Sequence, residues 1–212
     1  MKVDMHTHTS RSDGRDSLHN IVEAAEAKGL DLIAITDHGP GHGSGITERQ
    51  ARGTKREIEL LQPNYRVRVL AGIEAEILPG GEVFLEDRYG LDIVLASFHG
   101  APSEEIYYRA VLRAVTDPKV DVLAHHAWIT GGFAPITQYD DELIALMATH
   151  GVAIEINSKH ALPSWDFLQK CRDAGVKYTI GSDAHKAADV GSTAWATNTA
   201  RLIYGGRGLL IP

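Results

Sequence analysis

The hydrophobic positions of this chain fall into short unbroken runs separated by stretches of helical spacing. Leu32 to Ile35 is a continuous apolar run, the pattern of a strand covered on both faces, and Ile93 to Ala96, Val120 to Ala124 and Val152 to Ile156 also read as strands. Val3 to His8, Val67 to Glu74 and Tyr178 to Ile180 read as three further strands. Between them, Leu18, Ile21, Val22 and Ala25 recur at steps of three and four, with Asp16 or Ser17 as the cap and Gly29 as the stop. Helices are likewise expected from Thr47 to about Leu61, Ser103 to about Thr116, Tyr139 to His150 and Ser164 to Ala174, with a last helical stretch to Ile203. Lys28-Gly29-Leu30, His150-Gly151-Val152 and Ala174-Gly175-Val176 share one design, in which a helix meets a glycine and an apolar strand follows.

Strands alternating with helices predict an α/β chain with parallel pairing and right-handed crossovers. A parallel barrel collects its chemistry at the C-terminal strand ends. The polar exceptions in the pattern sit at those ends. His6 and His8 lie two apart on one strand and therefore share a face. Asp13 follows in the first loop, Asp37-His38 ends the second apolar run, and Glu74, His99, His125, His126, Asp183 and His185 end later ones. Glu82 to Glu86 suggests a short excursion, and the apolar tail from Leu209 either packs or meets a partner.

Composition sharpens this picture. The 212 residues suit one domain spanning 1–212, with 43% hydrophobic and 23% charged positions. A net charge of -7 argues against extended nucleic-acid binding, though not against a phosphate ester in a cation-lined pocket. Cys171 alone excludes an internal disulfide and a thiolate zinc cluster, and its helical spacing makes it a core residue. A buried strand from residue 3 and the lack of a long apolar run predict no signal peptide and no membrane span, hence a cytoplasmic protein. Eleven histidines are many, and six of them fall at strand ends. His19 and His150 lie on helices and read as surface residues, whereas His42 and His160 are loop residues that could reach substrate. Arg49, Arg52 and Arg56 form one helix face, which reads as solvated in preference to phosphate-binding.

Asp4-Met5-His6-Thr7-His8-Thr9, Ser12-Asp13-Gly14, Ile35-Thr36-Asp37-His38, Gly72-Ile73-Glu74, Phe98-His99, Leu123-Ala124-His125, Ile154-Glu155-Ile156-Asn157 and Gly181-Ser182-Asp183-Ala184-His185 occur in this order. In these motifs the chain resembles the polymerase and histidinol phosphatase (PHP) family of metal-dependent phosphoesterases. The resemblance implies a distorted (β/α)7 barrel and a three-metal site. One ion would be held by His6, His8, Glu74 and Asp183. Glu74 would bridge to a second held by His99 and His125, and Asp13, His38 and His185 would hold a third. Nitrogen and oxygen ligands suit two to three divalent Zn, Mn or Fe ions. A hydroxide bridging two metals would attack the phosphate ester. Asp37 is expected to orient a ligating imidazole. His126 replaces a proline common in the family, and is either a substrate contact or a pocket wall.

The expected substrate is a small phosphomonoester or a nucleotide or oligonucleotide end, with no membrane partner and no indication of oligomeric state. A histidinol-phosphate phosphatase is one alternative. Another is an amidohydrolase-type metal hydrolase, which would bridge its metals with a strand-end lysine; none is evident, and Glu74 takes that place. A non-catalytic, metal-stabilised partner module would have lost ligands, and here all nine positions are filled.

Overall fold

The computed structural model describes residues 1–100, 103–129, 132–133 and 139–212. Seven strands form one parallel sheet: β1 (Val3–Asp4), β2 (Leu32–Ile35), β3 (Arg68–Glu76), β4 (Ile93–Ser97), β5 (Val122–Leu123), β8 (Ala153–Asn157) and β9 (Tyr178–Gly181). Spatial order follows chain order, so each crossover returns beside the strand it left. The sheet curls until its edges meet. Met5 N–H donates to Ile180 O at 2.7 Å, His8 N–H to Ala184 O at 2.8 Å, and Thr7 bridges Ala184 in parallel. The result is the nearly closed, distorted (β/α)7 barrel expected from the sequence.

Six helices cover it: α1 (Leu18–Ala27), α2 (Glu48–Leu61), α3 (Glu104–Ala114), α4 (Asp140–His150), α5 (Trp165–Asp173) and α6 (Ala194–Tyr204). Their starts follow from local capping. Ser17, Ser103 and Ser164 each accept the backbone N–H three residues on, and Thr47 forms a capping box with Gln50. Cys171 lies on the inner face of α5 and is fully buried. The tail packs, since Leu210 N–H donates to Tyr178 O at 2.8 Å and Leu209 bridges Tyr178. Among the described residues no helix is long and apolar enough to cross a membrane.

Two differences from the sequence expectation matter, at the first strand and after β5. Only Val3 and Asp4 of the first run are regular strand, because the sheet must turn there to close. The excursion expected around Glu82 to Glu86 forms the crossover from β3 to β4, which returns through an antiparallel Ile77–Val83 bridge and buries Val83, Leu85, Tyr89 and Leu91. A two-stranded antiparallel ribbon, β6 (Trp128–Ile129) and β7 (Gly132–Phe133), follows β5 at the C-terminal mouth. Two residues per strand are too few for a periodic signal.

Candidate metal centre

Each barrel strand ends by turning a polar side chain inward at the C-terminal mouth. His6 and His8 are fully buried, and their ring centroids stand 5.0 Å apart. Glu74, 1% exposed, occupies the centre. One of its oxygens lies 2.8 Å from His125 Nε2 and 3.4 Å from His99 Nε2. The other lies 2.7 Å from His38 Nδ1, 3.4 Å from His6 Nε2 and 3.6 Å from His8 Nε2. Asp183 Oδ1 stands 3.5 Å from His8 Nε2, and Asp13 Oδ2 stands 3.4 Å from His38 Nε2 and 3.3 Å from His185 Nε2. All nine expected ligands therefore converge on one mouth.

Their donor atoms gather into overlapping sets, each within 4.8 Å: His6, His8 and Asp183; Glu74, His99 and His125; and His8, Asp13, His38 and His185. His38, His42 and His99 form a fourth set, which sequence reading did not foresee. Two of the ligands reach inward from left-handed backbone, His125 at φ 26° and Asp183 at φ 53°. Such conformations cost energy in non-glycine residues and concentrate at functional sites.

Do these residues fit metal ions? Buried polar atoms normally have partners, yet His6 Nε2, His8 Nδ1 and Nε2, His38 Nδ1 and Glu74 Oε2 are buried without a hydrogen bond of good geometry, close as His38 Nδ1 and Glu74 Oε2 stand to each other. Three imidazoles have their tautomer fixed by the opposite ring nitrogen. His6 Nδ1–H donates to Glu155 Oε1 at 2.8 Å, His99 Nδ1–H to Glu76 Oε2 at 2.7 Å, and His185 Nδ1–H to Asp183 O at 2.9 Å. Their Nε2 atoms consequently face the cluster, the arrangement that ligating histidines adopt. The donor set fits divalent cations.

Burial disfavours charge throughout this region, but local partners override it at several groups. The surrounding histidines, His6 first, hold Glu74 well below the usual carboxylate range, and the neighbouring His160 and His8 do the same for Asp183. Glu155 and Glu74 push His6 well above the usual imidazole range. Burial, aided by His6 and His38, pushes His8 down to about 4 despite its carboxylate neighbours. Anionic Glu74 and Asp183 beside an uncharged His8 leave ligand lone pairs available.

Glu155 and Glu76 were given no role from the sequence, although each is a carboxylate inside an apolar strand run. Glu155 also accepts the His125 backbone N–H at 2.7 Å, joining two ligands. A Cβ on Gly181 would stand 2.1 Å from Glu155 Oε1, so glycine there leaves room for that carboxylate. Glu76 became visible only because β3 runs two residues past Glu74, paired to Ser97 of β4.

Other expectations are corrected. Asp37, expected to orient an imidazole, has no hydrogen bond to one among the described residues: its oxygens accept Thr9 N–H at 2.7 Å, Thr9 Oγ1–H at 2.8 Å and Ser12 Oγ–H at 2.7 Å. It anchors the loop that carries Asp13. His126 turns away from the mouth into an aromatic layer, with Tyr107 Oη 2.9 Å from Nδ1 and the Phe167 ring centroid at 4.3 Å. Burial pushes it down to about 3. It is not part of the cavity lining.

The mouth cavity measures about 180 Å³ and includes Trp128, His42, His160 and Lys159 beside the ligands. His42 stacks on His38, centroids 3.8 Å apart. Ser44 N–H faces its Nδ1 at 3.4 Å, so the neutral ring carries its proton on Nε2. Its loop is a tight turn rather than a loose lid, because a Cβ on Gly45 would lie 1.9 Å from Gly39 O. His160 Nε2 approaches Asp183 Oδ2 at 3.3 Å. Lys159, two residues past β8, was missed as a strand-end lysine. None of Arg49, Arg52 and Arg56 lines the cavity, and Arg52 pairs with Glu48 in solvent.

A PHP domain model matches residues 4–159. The chain belongs to the PHP family. A probable phosphatase of Acetivibrio thermocellus is 33% identical over 206 residues, covering 89% of this chain and 81% of the relative. The DNA polymerase/3'-5' exonuclease PolX of Bacillus subtilis is 32% identical over 195 residues, and there the match spans 87% of this PHP chain but only 34% of the longer protein. In shape, the barrel matches the crystal structure of histidinol phosphate phosphatase from Lactococcus lactis, complexed with zinc, L-histidinol and phosphate. The TM-score is 0.69 at 19% identity, over 99% of this chain and 94% of that one, a likeness of fold.

Proposed function

We propose that this metal-dependent phosphoesterase of the PHP family hydrolyses small phosphomonoesters, nucleotide and oligonucleotide ends included, at a site for three divalent Zn, Mn or Fe ions. The observation that carries the reading is Glu74, whose two oxygens face His125 and His99 on one side and His6, His8 and His38 on the other. A carboxylate so placed serves two ligand sets at once. His6, His8, Glu74 and Asp183 would hold one ion, Glu74, His99 and His125 a second, and Asp13, His38 and His185 a third.

Bound divalent ions neutralise phosphate oxygens and lower the pKa of water toward neutrality, which makes hydrolysis possible near neutral pH. The chain's own residues prepare that chemistry. Glu155 and Glu76 fix the protons of His6 and His99 on the nitrogens facing away from the cluster. Asp37 holds the Thr9–Ser12 turn and with it Asp13. The substrate's phosphate would enter the mouth cavity of about 180 Å³, where the ligand sets meet. The net charge of -7 favours small substrates over a long nucleic-acid track.

A hydrolysis screen tests this reading. Protein loaded with Mn or Zn is offered phosphomonoesters (histidinol phosphate included), mononucleotides and short oligonucleotides. Turnover of monoesters with slower release from internal oligonucleotide linkages is expected. Cleavage confined to internal diesters would refute the assignment.

A further inference from the structure

The mouth cavity is lined by three carboxylates, Asp13, Glu74 and Asp183, and among the described residues by a single lysine or arginine, Lys159. Although its side chain is 44% exposed, Lys159 turns inward. Its Nζ lies 3.1 Å from Asp183 Oδ1 and 3.4 Å from His185 Nδ1. The backbone beneath it is built. Ser158 N–H donates to Gly181 O at 2.8 Å, Ser158 Oγ accepts Ala196 N–H at 3.1 Å, and Asn157 Oδ1 accepts His160 N–H at 3.0 Å. This turn fixes where the flexible stem begins.

The plain reading is that Lys159 merely neutralises Asp183. Asp183 Oδ1 also lies 3.5 Å from His8 Nε2, in the donor set with His6. A cation held by that set would compete with the ammonium for the same oxygen. Displaced from it, the ammonium remains at the cavity wall, with three N–H donors and, among the described residues, no other lysine or arginine lining the cavity. We propose that Lys159 is a substrate contact that binds a non-bridging phosphate oxygen and selects dianionic phosphomonoesters over phosphodiesters. This rests on the phosphomonoesterase reading above. A monoester carries close to two negative charges at neutral pH and a diester one, so a lone cation at the wall favours the monoester.

The test compares wild type, Lys159→Met and Lys159→Arg, all loaded with Mn. Substrates are p-nitrophenyl phosphate and bis(p-nitrophenyl) phosphate; inorganic phosphate is the inhibitor and the calorimetric ligand, and metal content is measured on each sample. Loss of one charge-assisted hydrogen bond predicts that Lys159→Met raises KM for the monoester and Ki for phosphate by about 10- to 100-fold. Diester kcat/KM should change by less than about threefold if the dianion is what Lys159 reads. Metal content should match wild type, and Lys159→Arg should recover most of the phosphate affinity. Unchanged KM and Ki, a parallel fall for both substrates, or metal loss in Lys159→Met would each overturn the proposal. A wild type without monoester turnover would refute the function reading instead, and phosphate calorimetry on the same proteins would still decide the role of Lys159.

Discussion

His125 and His126 are adjacent in the chain but belong to two different media. His125 faces the barrel mouth, 2.8 Å from Glu74, among carboxylates and other imidazoles. His126 faces the layer between barrel and helices, where Tyr107, Tyr108 and Phe167 surround it. Both are buried, so burial does not distinguish them. What differs is whether the surroundings can hold charge. At the mouth, buried donors lack hydrogen bonds and await cations; in the layer, His126 has one neutral hydrogen bond and aromatic walls. The same residue type thus marks a metal centre in one place and core packing one position later.

The largest test of this contrast is Glu74→Gln. Removing the charge that faces both ligand sets should lower kcat/KM by roughly a thousandfold or more. It should also lower metal content and Tm, because bound ions stabilise the fold by linkage. Turnover within tenfold of wild type would break the claim that Glu74 is central. His38→Ala comes next. It takes one ligand from the set with Asp13 and His185 and should lower kcat/KM by about a hundredfold, while the other two ions stay bound. Near-normal turnover with a full metal complement would remove the third ion from the account.

The layer side is tested by pH. His126 has its pKa depressed to about 3 in the fold, against about 6.5 unfolded. The unfolded chain therefore binds the extra proton first, and stability falls as pH drops from 6.5 toward 3. His126→Phe removes this loss. At pH 8 it should be less stable than wild type by about 1 kcal/mol, since Tyr107 loses its acceptor. By pH 5 the difference should have moved in its favour by about 2 kcal/mol. Thermal melts of both proteins with chelator present at each pH measure this; a constant difference would show that His126 is not held neutral. The smallest effect belongs to His150→Gln, at the exposed end of α4, which should leave activity unchanged and stability within about 0.5 kcal/mol of wild type. Equal losses from His150→Gln and Glu74→Gln would undo the sorting of the histidines.

The barrel and its nine mouth residues were legible because both depend on local rules. An unbroken apolar run announces a strand covered on both faces, and a polar residue at its end is a candidate for the mouth, as His38, His99 and His125 are, although His126 and Asp37 turn elsewhere. His6 and His8 needed nothing beyond a period of two. Residues that act through others left weaker marks. Glu155 lies within a strand and reads as an isolated charge until Gly181 is seen to make room for it. Glu76 depends on how far β3 stays paired to β4, a property of two segments together. Asp37 sits beside a ligand in sequence yet turns to Thr9 and Ser12, because its neighbour His38 takes the inward direction. Lys159 was passed over because it lies beyond its strand, in a turn whose shape depends on β9 and α6.

The central claim is that the buried unpartnered donors of the mouth hold a cluster of divalent ions. Elemental analysis of wild-type protein purified without chelator, with phosphatase activity assayed on the same sample, tests it most directly. Two to three transition-metal ions per chain, lost together with activity on chelation and restored with it, is the predicted result. Fewer than one ion per chain with activity intact would contradict it.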